Sequence, residues 1–167
     1  GSPTARPSDS WVASSTTSAA EAGIPTDQLR GATDRVLKVL QDPELKQPAK
    51  GDARRQQIRA IADEIFDWQE TGKRALARHW QPRSPQEREE FSKLFADLLE
   101  RSYVGKIEAY SGEKILYGEE TVDGDQAHVR TKLLTKSGTQ IPIDYQMQKV
   151  EERWRVYDVK IENVGLV

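Results

Sequence analysis

WRVYDVKIENV, residues 154–164, carries apolar side chains on both sides of an extended segment. Two-residue alternation puts Trp154 and Val156 on one side and Tyr157, Val159 and Ile161 on the other. A strand with water on one face alternates cleanly between apolar and polar. The second side of this one must therefore meet something apolar, either packed protein or a ligand. What precedes the segment decides which elements are available to cover it.

At Ser111-Gly112 the hydrophobic period changes from 3.6 to 2, and four strands are predicted, over 113–121, 126–135, 139–150 and 153–162. Asp123-Gly124, Ser137-Gly138 and Glu151-Glu152 separate them. Connections this short join antiparallel neighbours, so the four form a meander. Val129, Thr131 and Leu133 alternate in the second strand, and Ile141, Ile143, Tyr145 and Met147 in the third, each with a mainly polar opposite face. Pro142 cannot donate to a ladder and is expected at a bulge or a free edge.

Helices come first in the chain. Thr26 is a plausible N-cap for a helix carrying Leu29, Ala32, Val36, Val39 and Leu40, which ends at Asp42-Pro43. From Asp52 a second helix places Ile58, Ile61, Ala62, Ile65 and Trp68 on one stripe; Gly72 is expected to break or bend it before a short helix with Leu76 and Trp80. Ser84-Pro85-Gln86-Glu87 spells a capping box with proline at the first helical position. The long helix that follows carries Phe91, Leu94, Phe95, Leu98, Leu99, Ser102, Tyr103 and Ile107, a face too broad for a coiled-coil seam. The fold class is α+β, with N-terminal helices packed on one face of a curved four-stranded antiparallel sheet.

The chain has 167 residues, enough for one domain, expected over 26–167. The first 25 are rich in Ser, Thr, Ala and Pro and read as a disordered leader or tether, with Trp11 exposed in it. Charged residues make up 31%, yet the net charge is −2, so no global field draws in nucleic acid or an anionic membrane. Without cysteine there is no disulfide or thiolate chemistry, and no apolar run reaches the roughly 20 residues that span a bilayer. The opening Gly1-Ser2-Pro3, without initiator Met or signal peptide, reads as a chain whose address has been removed.

Catalytic chemistry has thin material. Asp158, Asp144, His128, Tyr145 and Tyr157 are the groups an acid–base pair could use, but none forms a recognised spacing. Asp158, beside Val156 and Trp154, is either a base of raised pKa or a group that accepts hydrogen bonds or faces solvent. Asp63, Glu64 and Asp67 have no nearby His and form an acidic helix face rather than a metal site. His79 suits a helix C-terminus. Arg54-Arg55 and the group Lys73, Arg74 and Arg78 are solvated helix surface or a basic patch for a partner or lipid headgroups. The aromatic and aliphatic surplus suits an apolar ligand cavity as well as an ordinary core.

An ordered series of segments resembles the toluene-tolerance auxiliary family of Gram-negative ABC transport systems. It runs from Phe66-Asp67-Trp68 and His79-Trp80 through Ser84-Pro85-Gln86-Glu87-Arg88-Glu89-Glu90-Phe91 and Leu94-Phe95-Ala96-Asp97-Leu98-Leu99. It continues with Ser102-Tyr103, Tyr110-Ser111-Gly112-Glu113, Trp154-Arg155-Val156-Tyr157-Asp158-Val159 and Ile161-Glu162-Asn163-Val164, covering roughly residues 27–167. Three positions depart from the family pattern. Ala77 replaces a frequent Gly, a change tolerable in helical backbone; Glu151-Glu152-Arg153 replaces a Gly- or Asp-containing turn; and the chain stops at Gly165-Leu166-Val167 where a C-terminal helical segment is expected.

The resemblance implies an NTF2-like fold enclosing an apolar cavity, no catalytic activity, no metal or cofactor, and a monomer. The implied cargo is phospholipid, carried through the periplasm between an inner-membrane ABC transporter of the MlaFEDB type and an outer-membrane lipoprotein complex of the MlaA type. Exposing acyl chains to water costs about 0.8 kcal/mol per methylene, so a carrier must hide them. Acyl chains are then expected between the long helix and the sheet, with Phe91, Phe95, Leu98, Leu99, Tyr103 and Ile107 as one wall. Val129, Leu133, Ile143, Tyr145, Met147, Val156, Val159 and Ile161 form the other, and Ile61 and Ile65 a side or lid. A hopanoid-like polycyclic lipid is the alternative cargo, and an NTF2-like small-molecule enzyme the alternative function.

Overall fold

The computed structural model describes residues 23–162 and 164–166; the expected leader, with Trp11, lies outside them except for residues 23–25. The described chain divides into two compact units: the residues up to Arg30 with Glu113–Leu166, and Gly31–Gly112. The class is α+β, helices preceding an antiparallel sheet.

In the sheet unit, β1 (Lys114–Asp123), β2 (Gln126–Leu134), β3 (Gln140–Val150) and β4 (Arg153–Ile161) pair in chain order, and a two-residue β5 (Val164–Gly165) extends the meander. The four expected strands stand within two residues of their expected ends. Gly124 and Gly138 supply the positive φ their turns need, at 61° and 90°. Glu151 and Glu152 do the same between β3 and β4, at φ 51° and 66°, which is costly for residues with a Cβ. Pro142 makes no bulge. It sits in register opposite Lys132, and its carbonyl accepts from Glu162 N just past the end of β4, so the missing donor costs at most one terminal ladder bond.

The bulges lie elsewhere. Gln146 pairs with Asp158 and Met147 with Val156, so β4 spends one extra residue, Tyr157, against an uninterrupted β3. A second extra residue occurs in β1, between the Tyr117–Thr131 and Glu120–Val129 pairs. Each bulge bends its strand and shifts side-chain parity by one.

Helix α1 (Gly23–Gln41) begins before Thr26, which lies inside it rather than at its cap. Both the backbone N–H and the hydroxyl of Thr26 donate to Glu120 Oε1, at 2.8 and 2.6 Å. Gln28 Oε1 accepts from Trp154 N at 2.6 Å, and the Arg30 guanidinium lies 4.5 Å from the Tyr117 ring centroid. The opening of α1 is thereby fastened to β1 and β4.

In the helical unit, α2 (Gly51–Ile65) buries Ile58 and Ile61. Chain direction changes at Phe66-Asp67 and not at Gly72: Asp67 caps α3 (Trp68–Leu76) by accepting from Glu70 N, and Gly72 lies buried inside that helix. A Cβ on Gly72 would stand 2.9 Å from Ser92 Oγ and 3.3 Å from Phe91, so glycine there sets a close approach of α3 to α4 (Pro85–Glu108). The Ser84–Glu87 capping box opens α4 as expected. Between them the chain passes through Ala77 at φ 50°, ψ −122°, which is not helical backbone and strains any residue but glycine. Trp80 is buried beyond it, with the Arg88 guanidinium 5.4 Å from its ring centroid.

Charge joins α2 to α4. Arg59 bonds Asp97 and Glu100, both at 2.8 Å, and Arg54 and Arg55 converge on Glu108. These contacts hold the Glu108 and Asp97 carboxyls below their ordinary pKa values, Arg55 acting chiefly on the first and Arg59 on the second. Arg54 and Arg55 are thus both committed to Glu108, and Arg74 is paired with Glu70.

Candidate functional site

Cross-strand partners share a face of a sheet, so the register sorts its side chains. Four rows cross one face: Val122, Ala127, Met147, Val156; Glu120, Val129, Tyr145, Val159; Tyr117, Thr131, Ile143, Ile161; and Ile115, Leu133, Ile141. Trp154, opposite Lys149, belongs to the same face. All eight strand residues expected to form a wall lie here.

This placement corrects the reading of residues 154–164. Without the extra residue at Tyr157, Val159 and Ile161 would point away from Trp154 and Val156. With it, those four side chains fall together on one face. Tyr157 is buried, and its hydroxyl donates to Gln126 Oε1 at 3.0 Å. Gln126 pairs with Gln148, on the face opposite Met147.

Burial grades along the face. Val129, Met147 and Val156 have no accessible surface, and Ala127 and Val159 are buried. Ile115, Leu133, Ile141, Ile143 and Ile161 are half-buried. One end is packed protein and the other is apolar surface incompletely covered.

Polar groups on the face are few. The Thr131 hydroxyl donates to the Ile143 carbonyl at 2.8 Å. Glu120 Oε1 is occupied by Thr26, while its Oε2 is sealed from solvent with no partner among the described residues. Tyr145 is half-buried by area but densely surrounded, and that burial, with a smaller contribution from Tyr117, pushes its hydroxyl pKa well above the ordinary tyrosine value.

The sheet separates Tyr145 from the acid–base candidates Asp144, His128 and Asp158. Asp144 pairs with Arg130 and Lys160, His128 with Gln146, and Asp158 with Gln146, all on the face opposite Tyr145. Asp158 Oδ1 accepts from Val159 N at 2.9 Å and Leu166 N at 3.1 Å, holding β4 to the segment after it. It is a structural acceptor, the second of its two expected roles. His128 Nε2 stands 3.7 Å from Asp144 Oδ2. Among the described residues no group of three or more His, Cys, Asp or Glu could hold a metal, and no helix is long and apolar enough to cross a membrane.

The helical candidates do not form one wall. Leu98 and Ile107 are nine residues apart, which at about 100° per residue is half a turn of helix. Small residues do the packing: Ser92, Ala96 and Val104 are the buried residues of α4, while Leu94 and Leu98 remain 56% and 49% exposed. Phe91 and Phe95 are half-buried and stacked at 5.7 Å. Together with Leu94 and Leu98 they make a narrow apolar stripe. Leu99 and Tyr103 are half-buried, Ile107 is 36% exposed, Ile61 is buried and Ile65 half-buried. Ile115, Tyr117, Ala127 and Ile141 lie on the sheet face beside the expected wall residues; Ile115 and Tyr117 already alternate in the sequence, but the bulge after Tyr117 hides the continuation.

Comparison with known proteins gives three likenesses. The MlaC protein family matches the chain over residues 30–167. The intermembrane phospholipid transport system binding protein MlaC of Haemophilus influenzae is 27% identical over 101 residues, 58% of this chain and 47% of that protein. The chain thus spans about half the length of this curated relative. A phospholipid-binding protein from Ralstonia solanacearum, solved in complex with a phospholipid, superposes with a TM-score of 0.70 at 24% identity, covering 84% of this chain and 79% of that one.

Proposed function

The chain belongs to the MlaC family, and from that premise we propose that it binds phospholipid and carries it across the periplasm between an inner-membrane ABC transporter and an outer-membrane complex. The observation that carries the reading is the apolar face of the sheet, which holds every strand residue expected to meet acyl chains, the bulge at Tyr157 bringing Val159 and Ile161 onto it. Its half-buried end, at Leu133, Ile143 and Ile161, receives the chains. The α4 stripe of Phe91, Leu94, Phe95 and Leu98 offers a second apolar surface of the same kind. The names of the relatives, a phospholipid transport binding protein and a phospholipid-binding protein, support the choice of cargo.

Physical chemistry favours few polar anchors. Chains leave one apolar medium for another, so exchange with a bilayer is nearly balanced and direction is set by the partners at either end. The separation of Tyr145 from Asp144, His128 and Asp158 by the thickness of the sheet supports a binding role over the enzymatic alternative.

Solvent extraction of protein purified from a Gram-negative host, followed by mass spectrometry, tests the reading. Diacyl phospholipid near one molecule per chain is expected; a polycyclic lipid or none would overturn it. Leu98→Arg should deplete the bound lipid. Because Leu98 is half exposed, an arginine there leaves the fold intact, and unchanged circular dichroism will separate lost binding from misfolding.

A further inference from the structure

We propose that the Tyr145 hydroxyl is a hydrogen-bond donor to an acyl-ester carbonyl of the bound lipid, so that the site selects ester-linked chains. The proposal rests on the carrier function and specifies its cargo.

Tyr145 stands in the middle of the apolar face, one of four residues in the row Glu120, Val129, Tyr145, Val159. Its neighbours on either side, Val129 and Val159, are buried and offer no acceptor. Glu120, two strands away, has committed Oε1 to the Thr26 hydroxyl and N–H. Thr131 in the next row turns its hydroxyl to the Ile143 carbonyl. Among the described residues no group accepts from Tyr145. The hydroxyl is also not sealed, unlike Glu120 Oε2, and so keeps accessible surface.

Water can satisfy a hydroxyl that keeps accessible surface, and an acyl chain that covers it must supply an acceptor or cost roughly 1–3 kcal/mol. Phenylalanine would fill the same space without that cost. A donor kept at this depth, unpaired but reachable, fits an acceptor that arrives with the ligand. Depth also chooses the acceptor. A phosphate brought among Val129, Val159 and Met147 would carry its charge out of water at several kcal/mol, whereas an ester carbonyl is neutral and lies at the head of each acyl chain. The dense surroundings that raise the Tyr145 pKa keep it protonated, a donor throughout the physiological range.

A cycle of two changes tests this on the full chain. Wild type and Tyr145→Phe are delipidated, and each is titrated with dioleoyl phosphatidylglycerol and with its dialkyl diether counterpart, which has the same headgroup and chain length but no ester carbonyl. Wild type should bind the diester about fivefold more tightly than the diether, the ratio one neutral hydrogen bond supplies. Tyr145→Phe should bind both at the diether level. Equal binding of the two lipids by wild type, or a preference that survives in Tyr145→Phe, overturns the proposal, as does an equal loss for both lipids, which would make Tyr145 a packing residue. Failure of wild type to bind either lipid would instead remove the carrier reading on which the proposal stands.

Discussion

The Tyr157 hydroxyl donates to Gln126 Oε1 at 3.0 Å, linking the one extra residue of β4 to a strand two places away. Tyr157 is the residue at which the register shifts, and this bond and its burial hold the bulge in place. Tyr157→Phe should keep the bulge and lose about 1 kcal/mol, the worth of one such bond, read as a lower urea midpoint with an unchanged slope. Deleting Tyr157 is a different experiment. It would turn Val159 and Ile161 away from Met147 and Tyr145, and the product should show no cooperative unfolding transition. Cooperative unfolding of the deletion at the wild-type midpoint would contradict the register.

That residue also marks the boundary of what alternation can reveal. The four long strands, their pairing and their turns were legible because Asp123-Gly124 and Ser137-Gly138 punctuate the pattern and β2 and β3 alternate without interruption. Residues 154–164 looked two-faced because a bulge inserts one residue without any compositional mark. The capping box of α4 was legible because Ser84 and Glu87 act locally, through each other's backbone N–H groups. Which side of α4 packs was not, since Gly72 admits α3 against Ser92 and Phe91 and reverses the usual rule that large apolar residues mark the buried stripe.

Two glycines in helices separate packing from propensity. A Cβ at Gly72 meets Ser92 Oγ at 2.9 Å, and that hydroxyl is itself bonded to the Arg88 carbonyl, so it cannot move freely. Gly72→Ala should therefore cost about 1–3 kcal/mol by overpacking. At Gly31 nothing lies within 4 Å of the added carbon, and Gly31→Ala should stabilise by up to about 1 kcal/mol through helix propensity alone. Thermal melts of the two variants should move in opposite directions; a stabilised Gly72→Ala would contradict the α3–α4 contact.

Among the described residues strain sits at four non-glycine positions with positive φ: Glu162, Ala77, Glu151 and Glu152. The last two form the two-residue connection between β3 and β4, a place that favours Asn-Gly. Ala77→Gly and the pair Glu151→Asn with Glu152→Gly should each stabilise by about 1–2 kcal/mol, because the folded backbone is relieved by more than the unfolded chain gains in freedom. Chemical denaturation of both variants checks this. A fall in stability for Ala77→Gly would mean that the turn does not hold φ near 50°.

Acid should loosen the α2–α4 clamp before it affects the sheet. Arg55 and Arg54 hold the Glu108 carboxyl below its ordinary 4.5, and Arg59 and Lys93 hold Asp97 below 3.8. A carboxylate whose folded pKa is depressed contributes stability that is fully present above its unfolded pKa and is lost as pH falls through the folded value. Unfolding free energy from these groups should stay level between pH 7 and about pH 5, then decline below the ordinary carboxylate pKa. Glu108→Gln removes the charge that both arginines face and should cost about 2 kcal/mol at pH 7, Glu108 being only 14% exposed. Glutamine cannot titrate, so wild type and variant should converge as the pH approaches 3. Denaturation curves of the pair at pH 7, 5, 4 and 3 give the comparison. A gap that stays constant down to pH 3 would show that Glu108 acts through shape, and that its charge holds neither arginine.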